Sequence, residues 1–430
     1  MNTNSKSGLM IAAPSSGSGK TVITLALLRA LKDEGLDICA AKAGPDYIDP
    51  GFHAISCGSA SVNLDPWAMS GKRLIALAHR QTGSHLLVEA MMGLFDGAAD
   101  GTASPASLAK ELNIPVILVV DAAKQSHSIA ALVRGFRDHD PKLSVEGVIL
   151  NKVGSARHEK MLRDALRSIG ITVLGAVPRS RSLEIPERHL GLVQAQESSG
   201  IESFIEGAAE LLSSHCDLTK LKSMFRPLHE AEHLETRIKP LGQRVAIARD
   251  VAFSFIYPHL LQDWRKQGAE LSFFSPLKDE APDQDADAVY LPGGYPELYG
   301  EKLSEAAKFK EGMISARDRG ALIYGECGGY MVLGDAIINK EGQCHSMTGL
   351  LKLETSFEKR KLHLGYRNLR TTQFVFGKEL KAHEFHYTTA INETGESLFE
   401  VSDALGGSLG SAGLRDGKVM GSYMHVIDAV

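Results

Sequence analysis

The sequence lacks paired cysteines, a strong excess of one charge sign and any long hydrophobic run. Its five cysteines are scattered over 430 residues without the short spacings of metal or disulfide motifs, which argues against a zinc site and a disulfide framework. Such scattered thiols favour the cytoplasm as the compartment. The formal net charge of −5 is mild, so nothing in it indicates a nucleic-acid partner.

No apolar run approaches the roughly 20 residues needed to span a bilayer, and we expect no membrane partner. The apolar residues near the N-terminus lead straight into a glycine-rich loop, so we interpret them as a first strand rather than a signal peptide. The composition is that of an ordinary soluble protein, with 43% hydrophobic and 23% charged residues. A chain of 430 residues is longer than those that usually fold around one hydrophobic core, so we predict two domains.

Short apolar runs alternate with helical patterns through the first half of the chain. Continuous apolar strands joined by helices are typical of a parallel sheet, so we predict an α/β domain of the phosphate-loop type over residues 1–197. The predicted strands are 8–13, 36–43, 85–92, 114–123, 145–153 and 171–178. The predicted helices include 20–32, 127–138 and 156–168.

The segment 198–242 is polar, carries charges of both signs and contains two prolines. We predict an interdomain helix and linker there. The alternation resumes over 243–430, where a second open α/β domain is the simplest interpretation. Its predicted elements are strands at 244–250, 269–276 and 287–294, helices at 257–268 and 301–319, a strand, turn and helix at 320–334, and short strands in the tail.

The stretch APSSGSGKT at 13–21 lies between the first predicted strand and the first predicted helix. Small residues let backbone N–H groups surround phosphate oxygens, and the helix N-terminus adds partial positive charge. Lys20 would reach the outer phosphates and the Thr21 hydroxyl would coordinate Mg²⁺, although Ala13 and Pro14 stand near the place of the usual first glycine. The predicted nucleotide-binding residues are Ser16, Gly17, Ser18, Gly19, Lys20 and Thr21.

Acidic residues follow the second and third predicted strands, in GPDYIDP at 44–50 and VEAMMGLFDG at 88–97. In an open parallel sheet, ligands bind beyond the carboxyl ends of the strands, which places these acids near the phosphate loop. Because Mg²⁺ prefers carboxylate, phosphate and water oxygens, we predict Asp46 and Glu89 as its ligands. The remaining candidates, which would face the reacting substrate, are Tyr47, Asp49 and Asp96.

Asn151 ends the fifth predicted strand, in ILNKV at 149–153. A side-chain amide there can donate and accept together and so recognise a purine edge, although a surface turn would have the same sequence. Asp121 in VVDAAK is similarly placed and is a weaker candidate.

Cys327 lies in YGECGGY, between a predicted strand and a predicted helix. A strand, a tight glycine turn and a helix form a nucleophile elbow, and the helix N-terminus stabilises a thiolate. The backbone N–H of Gly328 would hold an oxyanion. Gly293 and Gly294 in LPGGYPE end the preceding strand and would supply a further donor. We interpret the other cysteines as small buried hydrophobic residues.

A thiol nucleophile needs a base, and His425 in GSYMHV is the best candidate because a short C-terminal strand can return to the elbow. His383 and His386 in HEFHY are its rivals. A thiol elbow and a phosphate loop in one chain indicate a division of labour. One domain would release ammonia from an amide, and the other would phosphorylate a carboxylate that the ammonia then attacks, which is ATP-driven, glutamine-dependent amidation.

The chain resembles the a,c-diamide synthases of corrinoid biosynthesis over essentially its full length. The resemblance implies an N-terminal domain similar to dethiobiotin synthetase and a C-terminal domain similar to class I glutamine amidotransferases. It rests on ten motifs in this order: APSSGSGKT, GPDYIDPGFH, VEAMMGLFDG, GVILNKVGSARHE, ERHLGLVQA, LPGGYPE, YGECGGYM, LHLGYR, HEFHY and SYMH.

The resemblance also implies roles for individual residues. Cys327 would be the glutaminase nucleophile, and His425 would raise its nucleophilicity. Many class I glutaminases carry a glutamate two residues after the histidine, but Ile427 stands there and Asp428 follows, so the group that orients His425 is not identified. The implied ligand-binding residues are Lys20, Thr21, Asp46 and Glu89 for ATP and Mg²⁺, Asn151 for adenine, and Tyr47, Asp49 and Asp96 for the corrinoid.

The implied activity is amidation of the a and c acetates of a corrin ring through acyl phosphates, in cobalamin biosynthesis. Hydrogenobyrinic acid is favoured over cobyrinic acid without a residue argument, L-glutamine is the second substrate, and a homodimer is compatible with the resemblance. One alternative is an amidoligase of a related tetrapyrrole or of the cobyric acid synthase type. An alternative of another class is a phosphate-loop regulatory ATPase whose second domain is an inactive interaction module.

Overall fold

The computed structural model describes residues 6–180, 183, 200–231, 238–371 and 376–429. The motif ERHLGLVQA therefore lies outside the described residues. The chain divides into two compact units, Met1–Leu234 and Glu235–Val430. Within the described ranges, none of the helices has both the length and the apolar character needed to cross a membrane.

The first unit is built on a sheet whose strand order is β3-β2-β4-β1-β5-β6-β7, with β8 attached to β1. All neighbours are parallel except the antiparallel pair of β8 and β1. The strands are β1 Ser7–Ala12, β2 Ile38–Ala43, β3 Val62–Leu64, β4 His85–Glu89, β5 Val116–Asp121, β6 Val145–Val153, β7 Thr172–Pro178 and β8 Arg226–Pro227. The helices are α1 Lys20–Asp33, α2 Asp49–Cys57, α3 Gly71–Arg80, α4 Pro105–Leu112, α5 Ile129–Asp138, α6 Ala156–Arg167, α7 Ile201–His215 and α8 Leu218–Lys222.

The predicted parallel sheet is confirmed, and its strands are apolar because both faces are covered. All six residues of β2 are buried, for example. Helix α7 lies within the segment predicted as an interdomain linker, but it packs in the first unit. Its buried residues Ala208 and Leu212 join the same core as Leu27 and Leu31 of α1. The apolar stripe of α7 therefore completes the cover of the first sheet.

The second unit contains a ten-stranded sheet in the order β10-β9-β11-β12-β21-β20-β19-β16-β17-β22 and a four-stranded sheet in the order β14-β13-β15-β18. Its strands are β9 Arg244–Ala248, β10 Glu270–Phe274, β11 Ala288–Leu291, β12 Leu322–Glu326, β13 Ala336–Ile338, β14 Cys344–Ser346, β15 Leu353–Ser356, β16 His363–Arg370, β17 Glu379–His386, β18 Thr389–Glu393, β19 Glu396–Asp403, β20 Ser408–Asp416, β21 Val419–Ser422 and β22 Met424–Ala429. Its helices are α9 Pro258–Lys266, α10 Gly300–Glu305, α11 Ala307–Asp318 and α12 Gly328–Leu333, with 3₁₀ turns at Pro276–Lys278 and Pro296–Tyr299.

The five strands from β10 to β21 in the large sheet are parallel, as predicted for an open α/β domain. The other half, from β20 to β22, is antiparallel and was not expected. It returns the C-terminal strand β22 beside β17. Cys327 lies in the parallel half of this sheet, immediately after β12 and before α12.

Candidate active sites

The phosphate loop of the first unit is held in a left-handed turn directly before α1. Gly17 and Gly19 have φ of 81° and 86°, a region that glycine tolerates at little cost. Gly19 is also the N-cap of α1, and a Cβ at this position would overlap the side-chain amide of Asn151. Ser16 and Gly17 are exposed, whereas Ser18 is buried. The loop thus presents its backbone and the start of a helix to solvent, as an anion site requires.

Asn151 braces this loop from the end of β6. Its Nδ2 donates to the carbonyl of Ser18 at 3.0 Å, and its Oδ1 accepts from the backbone N–H of Lys152 at 2.9 Å. A cavity of about 220 Å³ lies beside it, lined by Gly19, Val22 and Pro178 among others. The amide therefore has a structural role that the sequence did not predict. Its predicted role at a purine edge is compatible with its place on the cavity wall.

Lys42 lies among the predicted carboxylates, and sequence reasoning missed it. Its Nζ forms an ion pair with Asp49, lies 3.1 Å from Glu89 Oε1 and lies 3.9 Å from Asp46 Oδ2. Burial by itself would lower the pKa of Lys42, but the three carboxylates outweigh burial and raise it above its usual range. Lys42 is therefore a fixed buried cation. The available signal was a lysine within the otherwise apolar strand ICAAKA.

Glu89 is fully buried, and several polar side chains surround its carboxylate. The Thr21 hydroxyl donates to its Oε1 at 2.6 Å, His53 Nε2 lies 2.6 Å from its Oε2, and Lys20 Nζ lies 3.8 Å from its Oε1. Burial would raise the pKa of Glu89, but Lys42 and His53 outweigh it and hold the pKa well below the usual range. Burial lowers the pKa of Lys20. His53 is a second residue that the sequence motifs did not reveal.

The other predicted acids differ in exposure. Asp46 is half-buried, and its Oδ1 accepts from the backbone N–H groups of Ile48 and Asp49 at 2.7 and 3.1 Å. Asp49 is buried, and burial together with the neighbouring Asp46 raises its pKa to about 7. Tyr47 is half-buried between these two acids. The structure thus gathers both acids of the motif beside Lys42.

Asp96 is exposed, and its Oδ2 accepts from the backbone N–H of Gly93 at 2.8 Å. The next residue of this turn, Leu94, donates its backbone N–H to the carbonyl of Ala13 at 2.9 Å. The loop that carries Asp96 is therefore bonded to the start of the phosphate loop. Asp121, the weaker candidate, forms an ion pair with Lys152 at 2.6 Å.

The residues around Glu89 fit a magnesium ion in their donor chemistry. Thr21, Asp46 and Glu89 offer one hydroxyl and two carboxylate groups, and oxygen is the ligand that this hard cation prefers. The Thr21 hydroxyl already lies 2.6 Å from Glu89. Lys42 lies between the two carboxylates, within 3.9 Å of both, so the cation site and a buried ammonium share the same acids.

In the second unit, Cys327 has φ 47° and ψ −104° at the junction of β12 and α12. Its backbone N–H donates to the carbonyl of Ser422 at 2.8 Å, which fixes the turn on the neighbouring strand. Positive φ at a residue with a side chain is a strained conformation, and such strain concentrates at active sites. Burial raises the pKa of the Cys327 thiol above its usual range, and the charge of Glu297 raises it further. The thiol is therefore protonated at rest and needs a base.

The turn Gly293–Gly294 lies between the two predicted catalytic residues. The nitrogen of Gly294 is 3.0 Å from the Cβ position of Gly328, the residue that follows Cys327. A Cβ on Gly293 would overlap the ring of His425. The three predicted oxyanion glycines thus converge on the elbow, and the imidazole packs against the same turn.

His425 lies on β22 and is 2% exposed. Burial, together with the neighbouring His383 and His386, lowers its pKa to about 3. The imidazole is therefore neutral near pH 7 and able to accept a proton. His386 is engaged elsewhere, with Nε2 3.0 Å from Glu384 and Nδ1 3.1 Å from the Thr388 carbonyl.

Glu326 is a buried carboxylate beside His425. Its Oε2 lies 3.9 Å from His425 Nδ1. It also accepts hydrogen bonds from Tyr290 at 2.8 Å, Tyr324 at 3.2 Å and the backbone N–H of Val426 at 3.3 Å. Burial raises its pKa to about 7. Sequence reasoning searched after the histidine, whereas this acid directly precedes the cysteine.

Comparisons with known proteins assign a family to each of the two units. Residues 9–193 match the family described as the CobQ/CobB/MinD/ParA nucleotide binding domain, and residues 244–429 match the CobB/CobQ-like glutamine amidotransferase domain. The chain is 56% identical to hydrogenobyrinate a,c-diamide synthase of Brucella anthropi, over 98% of each chain. It is 56% identical to the Sinorhizobium protein of that name, over 98% of this chain and 99% of that one. It is 47% identical to the Rhodobacter capsulatus one, over 98% of each. The predicted resemblance and fold class are confirmed.

Proposed function

Because the chain belongs to the hydrogenobyrinate a,c-diamide synthase family, we propose that it amidates the a and c acetate side chains of hydrogenobyrinate, using ATP and glutamine. The protein is a glutamine-hydrolysing carbon–nitrogen ligase of cobalamin biosynthesis. The proposal is supported by two groups of residues in the same chain. In the first unit, a phosphate loop lies beside buried acids. In the second unit, the cysteine elbow and a neutral histidine pack against the same glycine turn.

The second unit releases ammonia from glutamine. His425 takes the proton of the Cys327 thiol as the sulfur attacks the side-chain amide carbon, and the backbone N–H groups of Gly294 and Gly328 stabilise the resulting oxyanion. Ammonia leaves with the proton from His425, and water then cleaves the thioester to glutamate. Glu326 faces the imidazolium that forms in each step. This scheme is supported by the low pKa of His425, which keeps the base unprotonated at rest.

The first unit activates a carboxylate. The backbone amides of Gly17 and Gly19, together with Lys20, bind the ATP phosphates, and Asn151 borders the place for the base. An acetate oxygen attacks the γ-phosphorus and ADP leaves. Ammonia then attacks the acyl phosphate carbon, which gives the amide and inorganic phosphate. The loop residues Ser16, Ser18 and Thr21 complete the nucleotide site.

Magnesium is part of this proposal because the donor set fits it. Thr21, Asp46 and Glu89 would hold the ion, which when bound offsets negative charge on the phosphates. Tyr47, Asp49 and Asp96 would bind the corrinoid, and Lys42 would hold the carboxylates of this site in place through its ion pairs.

We favour the metal-free ring because the relatives carry hydrogenobyrinate in their names, and cobyrinic acid is the second candidate. A cytoplasmic homodimer is proposed on the family resemblance. A regulatory ATPase with an inactive second domain is disfavoured, because Cys327, His425 and Glu326 lie together in a buried elbow.

The test is mass spectrometry of products formed from each macrocycle with ATP, Mg²⁺ and glutamine. Two added amides on hydrogenobyrinate support the proposal, and amidation of neither ring contradicts it. Cys327→Ala should stop glutamate release while ammonia still supports amidation. Lys20→Ala should stop amidation with either nitrogen source. If Cys327→Ala used glutamine fully, or if Lys20→Ala turned over normally, the corresponding residue would not have the proposed role.

A further inference from the structure

A second carboxylate lies beside the elbow and is not used by the scheme above. Glu297 belongs to the 3₁₀ turn Pro296–Tyr299. Pro296 Cδ lies 2.8 Å from the Cβ position of Gly328, so this turn rests on the start of α12. Glu297 is half-buried as a residue, but its Oε2 is screened from solvent and receives no hydrogen bond from any residue that the structure describes.

The charge of Glu297 acts directly on the nucleophile. After burial, it is the largest cause of the raised pKa of the Cys327 thiol. Burial also raises the pKa of Glu297 to about 7, although a hydrogen bond from its own backbone N–H and the charge of Arg360 oppose this rise. The Arg360 guanidinium lies over the ring of Tyr387, 5.5 Å from its centre. A buried acceptor without a donor costs roughly 1–3 kcal/mol, which indicates that a ligand supplies the missing donor.

We propose that Glu297 binds the α-ammonium group of the glutamine substrate. This inference rests on the proposed glutaminase function. When Cys327 attacks the side-chain amide, the other end of glutamine carries an ammonium and a carboxylate. Only the ammonium offers N–H donors and a positive charge, which are what the Glu297 carboxylate lacks.

The proposal also explains why a carboxylate stands beside a nucleophilic thiol. In the free protein the negative charge of Glu297 disfavours the Cys327 thiolate. A bound ammonium neutralises that charge, so the thiol becomes easier to deprotonate only when an amino acid fills the site. Glu297 is then a specificity-determining residue that couples substrate binding to activation of the nucleophile.

The experiment compares two substrates for glutamate or glutarate release: L-glutamine and 4-carbamoylbutanoate, which has the same amide and lacks the α-ammonium. Glu297→Gln should lower kcat/KM for glutamine by roughly 10- to 100-fold, with a raised KM. It should not lower kcat/KM for 4-carbamoylbutanoate, because the lost contact does not exist there and the charge that disfavours the Cys327 thiolate is removed. The matched control Glu301→Gln, at an exposed glutamate four residues on, should match the wild type on both substrates.

An equal loss on both substrates would assign Glu297 a structural role and overturn the proposal, as would an unchanged kcat/KM for glutamine. If Glu297→Gln does not fold, Glu297→Asp carries the same comparison, with a smaller loss confined to glutamine as the supporting result. A wild-type protein that hydrolyses neither substrate would instead refute the glutaminase function itself.

Discussion

The imidazole of His425 and the carboxylate of Glu326 face each other in the interior of the second unit, with Nδ1 and Oε2 3.9 Å apart and side chains only 2% and 1% exposed. Glu326 also accepts the backbone N–H of Val426 at 3.3 Å, so the same acid fixes the strand next to the histidine. A negative charge in this place stabilises the imidazolium that forms when the thiol loses its proton. We therefore propose that this acid has the role of the glutamate that Ile427 replaces in the sequence motif.

Replacing Glu326 by glutamine should lower kcat for glutamine hydrolysis by roughly 10- to 100-fold. The loss is smaller than for a hydrogen-bonded triad, because 3.9 Å exceeds hydrogen-bond distance. Burial raises the pKa of Glu326 to about 7, so the acid is charged only above that pH. The wild-type rate should therefore rise as the pH increases through 7, and Glu326→Gln should lack this rise.

The exposed Glu311→Gln serves as the control for Glu326→Gln and should keep the wild-type profile. A Glu326→Gln variant that lost activity equally at every pH would show that the side chain acts only through packing. Glutamate release measured between pH 5.5 and 9 distinguishes the two cases.

Lys42→Met should destabilise the protein and abolish ATP-dependent amidation. The substitution leaves Asp49 and Glu89 buried without their shared cation, and breaking a buried pair in this way costs roughly 3–5 kcal/mol. Urea denaturation followed by circular dichroism measures the stability loss. Lys160→Met removes a lysine that pairs with Asp164 on the surface and should leave stability near the wild-type value. Equal stabilities for the two variants would contradict the buried role of Lys42.

The fold of the first unit was predictable because a parallel sheet buried on both faces gives continuous apolar strands. The antiparallel half of the second unit was not, because its strands other than β22 are only partly buried. Strand β16, for example, has one buried residue among its eight. Such strands carry little apolar signal, and their order depends on pairing between distant segments. The chain order of β20, β19 and β16 in the sheet cannot be read from local patterns.

The site residues also differ in whether local sequence patterns reveal them. The positions of Cys327 and Lys20 between a strand and a helix were predictable, because glycine turns after strand ends mark them locally. Lys42 was missed because its role comes from the register of β2 on β4, which sets it opposite Glu89. Glu326 was missed because its partner His425 lies on a strand at the far end of the sheet order. Contacts of this kind depend on the fold and leave no local spacing.

Gly19→Ala should weaken the binding of ATP with Mg²⁺ by at least about tenfold. The residue has φ 86°, and an added Cβ would overlap the Asn151 amide that braces the loop. Gly35→Ala is the matched control, because Gly35 has φ 80° at the other end of α1 and nothing lies within 4 Å of its Cβ position. The control should lose about 1 kcal/mol of stability from backbone strain and bind ATP normally. Isothermal titration calorimetry gives both affinities, and equal affinities would show that the loop tolerates displacement of Asn151.

The Cys327 thiol should react slowly with iodoacetamide in the absence of glutamine, and its rate should keep rising with pH. Burial and the charge of Glu297 raise its pKa above the usual range. The reactive thiolate is therefore a minor species whose fraction grows about tenfold per pH unit below the pKa. The exposed Cys344 is replaced by serine, and peptide mass spectrometry follows Cys327 between pH 7 and 9. A rate that levels off below pH 8 would mean a thiolate already formed at rest, and His425 would then have no proton to remove in the first step.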